Sequence, residues 1–378
     1  MKKVVIAIDS FKGSLSSYEV AEAFEQGFRS HHPTCDIRKV TIADGGEGMV
    51  EALVGTLGGV YIQVKVSNPL HRPIVARYGI IDSGKTAVIE IAAASGLSLL
   101  KAEERNPLQT STYGTGELIA DAIRRGCRNF LIGLGGSATN DAGTGLFRAL
   151  GYRFIAGTGE ELTGGGEILE RIVDIDDRGV MPELAECRFK VACDVTNRLF
   201  GLFGAAYIFA PQKGADKEMV EQLDDGLRNF SRVVAGYNGT MLPLVDGAGA
   251  AGGVGGGMLA LANAQLVRGI DLVLEAMHFD RIIEGSDLVI TGEGRIDSQT
   301  VMGKAPSGVL KAAMRQGIPT IAIGGGIEWC EDLRTSGFAA IEAVTPEGMP
   351  LDEAMRPEVA KANIRLTAER IAKRYINQ

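Results

Sequence analysis

The sequence predicts an α/β fold: a Rossmann-like, doubly wound parallel sheet with a second, inserted α/β domain. Three observations carry that expectation. Apolar runs of strand length recur between segments with helical spacing of apolar residues, the pattern of β-α units around a parallel sheet. The 378 residues, 45% of them hydrophobic, can bury a large core, and that length favours two domains over one. Glycine-rich polar loops follow several of the apolar runs, and open parallel sheets bind ligands beyond the carboxyl ends of their strands.

Taken in order, Val4–Ile8 reads as the first strand. Ser16-Ser17-Tyr18-Glu19 then forms a capping box, followed by Val20, Ala23, Phe24 and Phe28 at helical spacing. Ile37–Ile42 is a second strand, Asp44 to Glu47 a second cap pattern, and Val50, Leu53, Val54 and Leu57 share one helical face. Leu118, Ile119, Ala122 and Ile123 make a stripe before the strand Phe130–Leu134. Leu288–Ile290, Thr320–Ile323 and Ala339–Val344 are later strands, and a long helix starts near Pro357. Leu288–Ile290 is expected to empty into a turn running from Thr291 to Gln299.

Two stretches break the rhythm. Residues 60 to 91 read as three strands, Val60–Val66, Ile74–Ile80 and Thr86–Ile91, and residues 153 to 282 mix short strands, loops and glycine runs. The economical division assigns 1–65, 107–152 and 283–378 to the Rossmann-like domain. Residues 66–106 and 153–282 then form the second domain, with an active cleft between the two.

A net charge of −8 with no basic stripe argues against nucleic acid and anionic membrane surfaces. Four histidines and five cysteines are scattered without zinc-ligand spacing. The chain enters a strand at once and has no apolar run of membrane-spanning length, so a cytoplasmic protein is expected. The pattern leaves homo-oligomerisation open. Glycine is the outlier: its 51 copies bunch in loops, where a backbone can approach an anion closely.

The loops with chemistry are few. Asp9-Ser10-Phe11-Lys12 follows the first strand, and a lysine beside helix-terminal amides suits a phosphate or carboxylate. Gly135-Gly136-Ser137-Ala138-Thr139-Asn140-Asp141 crowds more polar groups into one turn than a helix cap needs. Asp194 ends an apolar run and suits Mg²⁺ ligation or proton abstraction. Gly247 to Gly252 satisfies G-x-G-x-x-G, which keeps a nicotinamide-dependent oxidoreductase open as a rival, with Asp271 as the ribose acid. No clean strand precedes it, however. A P-loop is absent, because Gly303-Lys304 lacks the upstream glycine and is followed by Ala305.

Together the motifs resemble the bacterial type I glycerate kinase family over nearly the whole chain. The pieces are Asp9-Ser10-Phe11-Lys12, Ala43-Asp44-Gly45-Gly46-Glu47-Gly48, Gly114-Thr115-Gly116-Glu117-Leu118-Ile119 and Gly135 to Asp141. Cys193-Asp194-Val195, Pro211-Gln212-Lys213-Gly214-Ala215, Gly247 to Gly253 and Thr291 to Thr300 complete the set. The family usually has proline at Ile8 and Arg198 and glycine at Ala210, departures that touch loop geometry. The resemblance implies ATP- and Mg²⁺-dependent phosphorylation of D-glycerate to 2-phosphoglycerate. A non-catalytic organic-acid-binding protein is the other alternative.

Phosphoryl transfer needs positioning and charge neutralisation more than covalent chemistry, and the roles follow. Lys12 and Arg295 are expected to neutralise the substrate carboxylate or the moving phosphoryl group. Asp194 is the expected proton acceptor, with Asp141 the second choice. Asp9, Ser10, Asp44, Glu47 and Lys213 are expected at the substrate, and Gly135, Gly136, Ser137, Thr139 and Lys304 at the nucleotide phosphates. Asp297 and Glu293 are expected to hold Mg²⁺.

Overall fold

The computed structural model describes residues 1–46 and 48–374. Its strands run β1 (Lys3–Ile8), β2 (Asp36–Thr41), β3 (Val60–Ser67), β4 (Pro73–Ile81), β5 (Thr86–Glu90) and β6 (Asn129–Gly133). They continue as β7 (Arg153–Ala156), β8 (Ile172–Asp176), β9 (Arg188–Ala192), β10 (Gln265–Val267), β11 (Leu288–Ile296), β12 (Thr320–Ile327) and β13 (Ala340–Ala343).

Two compact units divide the chain: Met1–Asp44, Glu51–Thr56 and Val273–Gln378 in the first, Gly45–Val50 and Leu57–Leu272 in the second. The first holds a parallel sheet in the order β13-β12-β11-β1-β2. β2 is added on one side of β1 and β11, β12 and β13 on the other, so β1 and β11 flank a topological switch point. Its core joins Val4, Ile6 and Ile8 of β1 to Phe24 and Phe28 on one helix and Ile364 and Ile371 on another. The Ser17–Arg29 helix starts on the expected capping box, with Ser16 as N-cap and Glu19 at its third position. It crosses the Pro357–Arg374 helix at Gly27, where an added Cβ would stand 2.2 Å from the Arg365 carbonyl oxygen. Only glycine fits there.

The second unit is built on the sheet β10-β9-β6-β5-β4-β3, with β7 and β8 as a separate antiparallel pair. β10, β9, β6 and β5 are parallel, while β4 and β3 are antiparallel additions. The three strands expected over residues 60 to 91 are that addition together with β5. The α/β class, with parallel sheets in both units, is as expected.

The domain boundaries require correction. Residues 45–50, 57–65 and 107–152 belong to the second unit, and 273–282 to the first. The cause is β6, which lies hydrogen-bonded between β5 and β9 and so cannot join the sheet of β1. The expected turn after Ile290 is also corrected. β11 stays extended to Ile296, because the glycines of β12 offer it a partner: Glu293 pairs with Gly324 and Arg295 with Gly326. Among the described residues no helix is long and apolar enough to cross a membrane.

Candidate active site

In the first unit a cavity of about 820 Å³ opens beyond the carboxyl ends of β1, β11, β12 and β13. Its polar end is built by three loops. After β1, Asp9 is nearly buried and its Oδ1 accepts the Ser10 amide at 2.6 Å. Burial, reinforced by the nearby Asp44 charge, pushes the Asp9 carboxyl up to about 6. The chain then closes on itself through the Ser14 and Leu15 amides, both donated to the Phe11 carbonyl, with Gly13 at φ +79°. That tight turn leaves Lys12 exposed, 3.6 Å from an Asp44 carboxylate oxygen. The Asp44 charge raises the Lys12 pKa, so the ammonium stays protonated.

The β11 end supplies the other carboxylates. Glu293 accepts the Thr300 hydroxyl at 2.7 Å, and burial raises its pKa. Asp297 caps the short helix Ser298–Val301 by accepting the Gln299 amide at 2.9 Å. Lys304 Nζ lies 3.5 Å from Glu293 and 3.9 Å from Asp297, so the two carboxylates converge on one cation. Arg295, two residues before Asp297, instead pairs with Glu328 at the exposed rim of the cavity.

The second unit gathers a different set. Asp141 is fully buried and accepts from the Thr112 amide and hydroxyl and from the Gly143 and Gly145 amides, at 2.8–3.2 Å. Burial raises its pKa against those bonds. Lys213, 2% exposed, donates to the Ser137 hydroxyl at 2.9 Å and the Thr139 carbonyl at 2.7 Å. Burial brings its pKa down to about 7, with the Asp141 charge opposing. Gly135 and Gly136 stay exposed, whereas the Ser137 and Thr139 side chains turn inward. Asp194 is exposed after β9, and its Oδ1 accepts the Gly269 amide at 2.9 Å.

The sequence-predicted residues therefore form separate groups. Asp9, Ser10, Lys12, Asp44, Glu293, Arg295 and Lys304 line one cavity, with Asp297 beside Lys304. Lys213 is buried with Ser137 and Thr139 as its hydrogen-bond partners, and Asp141 is buried separately on Thr112, Gly143 and Gly145. Glu47 lies outside the described residues. Among the described residues no strand runs into Gly247, the preceding element being the Lys217–Asn238 helix, and Asp271 is paired with Arg268, so the dinucleotide pattern lacks its context. Sequence reasoning missed Glu328, Thr345 and Asn363, which also line the cavity. The Gly324-Gly325-Gly326 run was the one available signal for that wall.

A model of the glycerate kinase family matches residues 4–376. The chain is 46% identical to a glycerate kinase of Bacillus subtilis, covering 98% of this chain and 97% of that protein. It is 45% identical to a glycerate 2-kinase of Escherichia coli, covering 94% and 93%. A solved structure described as a putative glycerate kinase 2 from Salmonella typhimurium superimposes with a TM-score of 0.89 at 44% identity, covering 99% and 98%. Fold and relatives together define a kinase with small-molecule substrates. The chain belongs to the glycerate kinase family.

Proposed function

We propose that this protein transfers the γ-phosphoryl group of ATP to the 2-hydroxyl of D-glycerate, giving 2-phosphoglycerate and ADP, with Mg²⁺. The observation that carries this reading is the convergence of Lys12, Lys304, Asp9, Asp44 and Glu293 on one cavity at the switch point of a parallel sheet. Lys12, Lys304 and Arg295 offset the negative charge of the nucleotide phosphates and the glycerate carboxylate. Ser10 and Asp44 orient the glycerate hydroxyls.

Among the described residues no group of three or more His, Cys, Asp or Glu could hold a metal ion. Mg²⁺ does not need one, since it takes one or two carboxylates together with water and substrate phosphates. Glu293 and Asp297 fit that requirement, because both already face a single cationic atom, Lys304 Nζ. The ion would neutralise charge on the phosphates there.

The glycerate hydroxyl loses its proton to a carboxylate. Asp194 is one candidate. Asp9 is the other, because its Oδ2 has no hydrogen-bond partner among the described residues and its pKa is near neutrality. Lys213 and Asp141 are assigned a supporting role: Lys213 holds the Gly135–Thr139 loop from inside and Asp141 fixes the segment that follows it, leaving the two exposed glycines to meet an anion. The test is an assay with ATP, Mg²⁺ and D-glycerate, followed by identification of the phosphorylated carbon. Mg²⁺-dependent turnover with phosphate on carbon 2 is expected. Hydride transfer to a nicotinamide cofactor, or no ATP turnover, would overturn the proposal.

A further inference from the structure

The cavity of the first unit has a second half that D-glycerate cannot use. Val344, Met349, Leu351, Ala354, Met355 and Ala360 line it, and a three-carbon hydroxy acid has no apolar surface to cover them. A nucleotide has both parts, a flat base joined to a polyanion. The volume of about 820 Å³ falls within the range of sites that take ligands of that size, about 300–1,000 Å³. The polar end at β1 and β11 and the apolar end at β13 and the Pro357–Arg374 helix thus match the two ends of one molecule.

Asn363 points to the kind of base. It stands on the Pro357–Arg374 helix, 7% exposed, in the wall of the cavity. Its Nδ2 donates only to the Met349 thioether at 3.4 Å, a weak acceptor, and its Oδ1 has no partner among the described residues. Its Oδ1 is not sealed off but opens on the cavity, where a ligand can complete its bonding. A carboxamide can donate to and accept from the edge of adenine through N7 and the 6-amino group at once.

We propose that the apolar end of this cavity receives the adenine base of the nucleotide, with the Asn363 carboxamide hydrogen-bonded to the base edge. The assignment rests on the kinase reading and adds to it where the base sits and which residue selects it. The Gly135–Thr139 loop is thereby left without the base.

Photolabelling the wild-type protein with 8-azido-ATP tests this without any substitution. Label recovered in the peptide spanning residues 344–363 is expected; label recovered elsewhere overturns the assignment. Asn363→Leu, checked for a cooperative melt, is the second arm. It should weaken ADP binding, measured by calorimetry, about tenfold or more, and should flatten the preference for ATP over UTP in kcat/KM. The KM for D-glycerate should stay unchanged. A folded variant with wild-type ADP affinity and nucleotide preference contradicts the proposal. Wild-type turnover with D-glycerate is measured alongside. No turnover with any nucleotide strikes the kinase reading, whereas turnover with label outside residues 344–363 strikes only this assignment.

Discussion

Two regions of this molecule use the same ingredients to opposite ends. Each places glycines, an acid and a lysine near the carboxyl end of a parallel strand. In the first unit, Lys12, Asp44 and Lys304 keep their charged ends within reach of an open cavity. In the second, Lys213 and Asp141 are turned into the protein and satisfied there. The difference lies in the supply of partners. Asp141 finds four donors on neighbouring segments, and Lys213 finds a hydroxyl and a carbonyl, so burial is tolerated. Lys12 and Lys304 are instead held by ion pairs of 3.5–3.9 Å to Asp44, Glu293 and Asp297, and charges paired at that distance must remain near water or a ligand. Residue type alone therefore does not separate a ligand site from a scaffold.

The largest expected effect falls on turnover at the cavity. Asp297→Asn and Arg295→Ala should each lower kcat by about two decades or more, the cost of losing an electrostatic group in phosphoryl transfer. Their melting temperatures should barely move, since Arg295 makes an exposed ion pair and asparagine can keep the helix cap that Asp297 supplies. Normal turnover in both variants would erase the functional side of the contrast.

Asp141→Asn should act the other way. Replacing a buried carboxylate that accepts four hydrogen bonds should cost about 2–3 kcal/mol, read by denaturant unfolding. The folded fraction should keep kcat within about tenfold. A stable but inactive variant would move Asp141 into the chemistry.

A smaller effect sharpens the comparison within the cavity. Folded Asp9 holds its proton more tightly than an unfolded aspartate, so its ionisation erodes stability as pH climbs from the ordinary aspartate range to about 6. Above that pH the full cost is present. Asp9→Asn removes it and should raise stability at pH 8 by about 1–2 kcal/mol, while activity falls. At pH 3, where both states of the wild type are protonated, the gain should vanish. Equal stability of the two proteins at pH 8 would contradict a strained, ligand-facing Asp9.

Much of this was legible in the chain, for identifiable reasons. The loops after β1 and β11 announced themselves because charges crowd the end of an apolar run, which no core requires. The three strands between residues 60 and 91 showed through their turns. Domain membership of residues 107–152 did not, because it depends on β6 pairing with β5 and β9, partners some 40 to 60 residues away. Local pattern carries no record of such pairings. The length of β11 was hidden for the same reason: Gly294 and Arg295 look like a turn until the glycines of β12 lie beside them. Asn363 was invisible because a single polar residue on a long helix resembles surface, and only tertiary packing buries it.

The most direct test sets the two lysines against each other. Lys304→Met and Lys213→Met are measured together for kcat with ATP and D-glycerate and for unfolding free energy. Lys304→Met should lose about two decades of kcat with stability nearly unchanged. Lys213→Met should shift stability measurably while the folded protein keeps kcat within about tenfold. The opposite pattern, turnover lost at Lys213 and retained at Lys304, would contradict the assignment of the open cavity to catalysis and of the buried groups to scaffold.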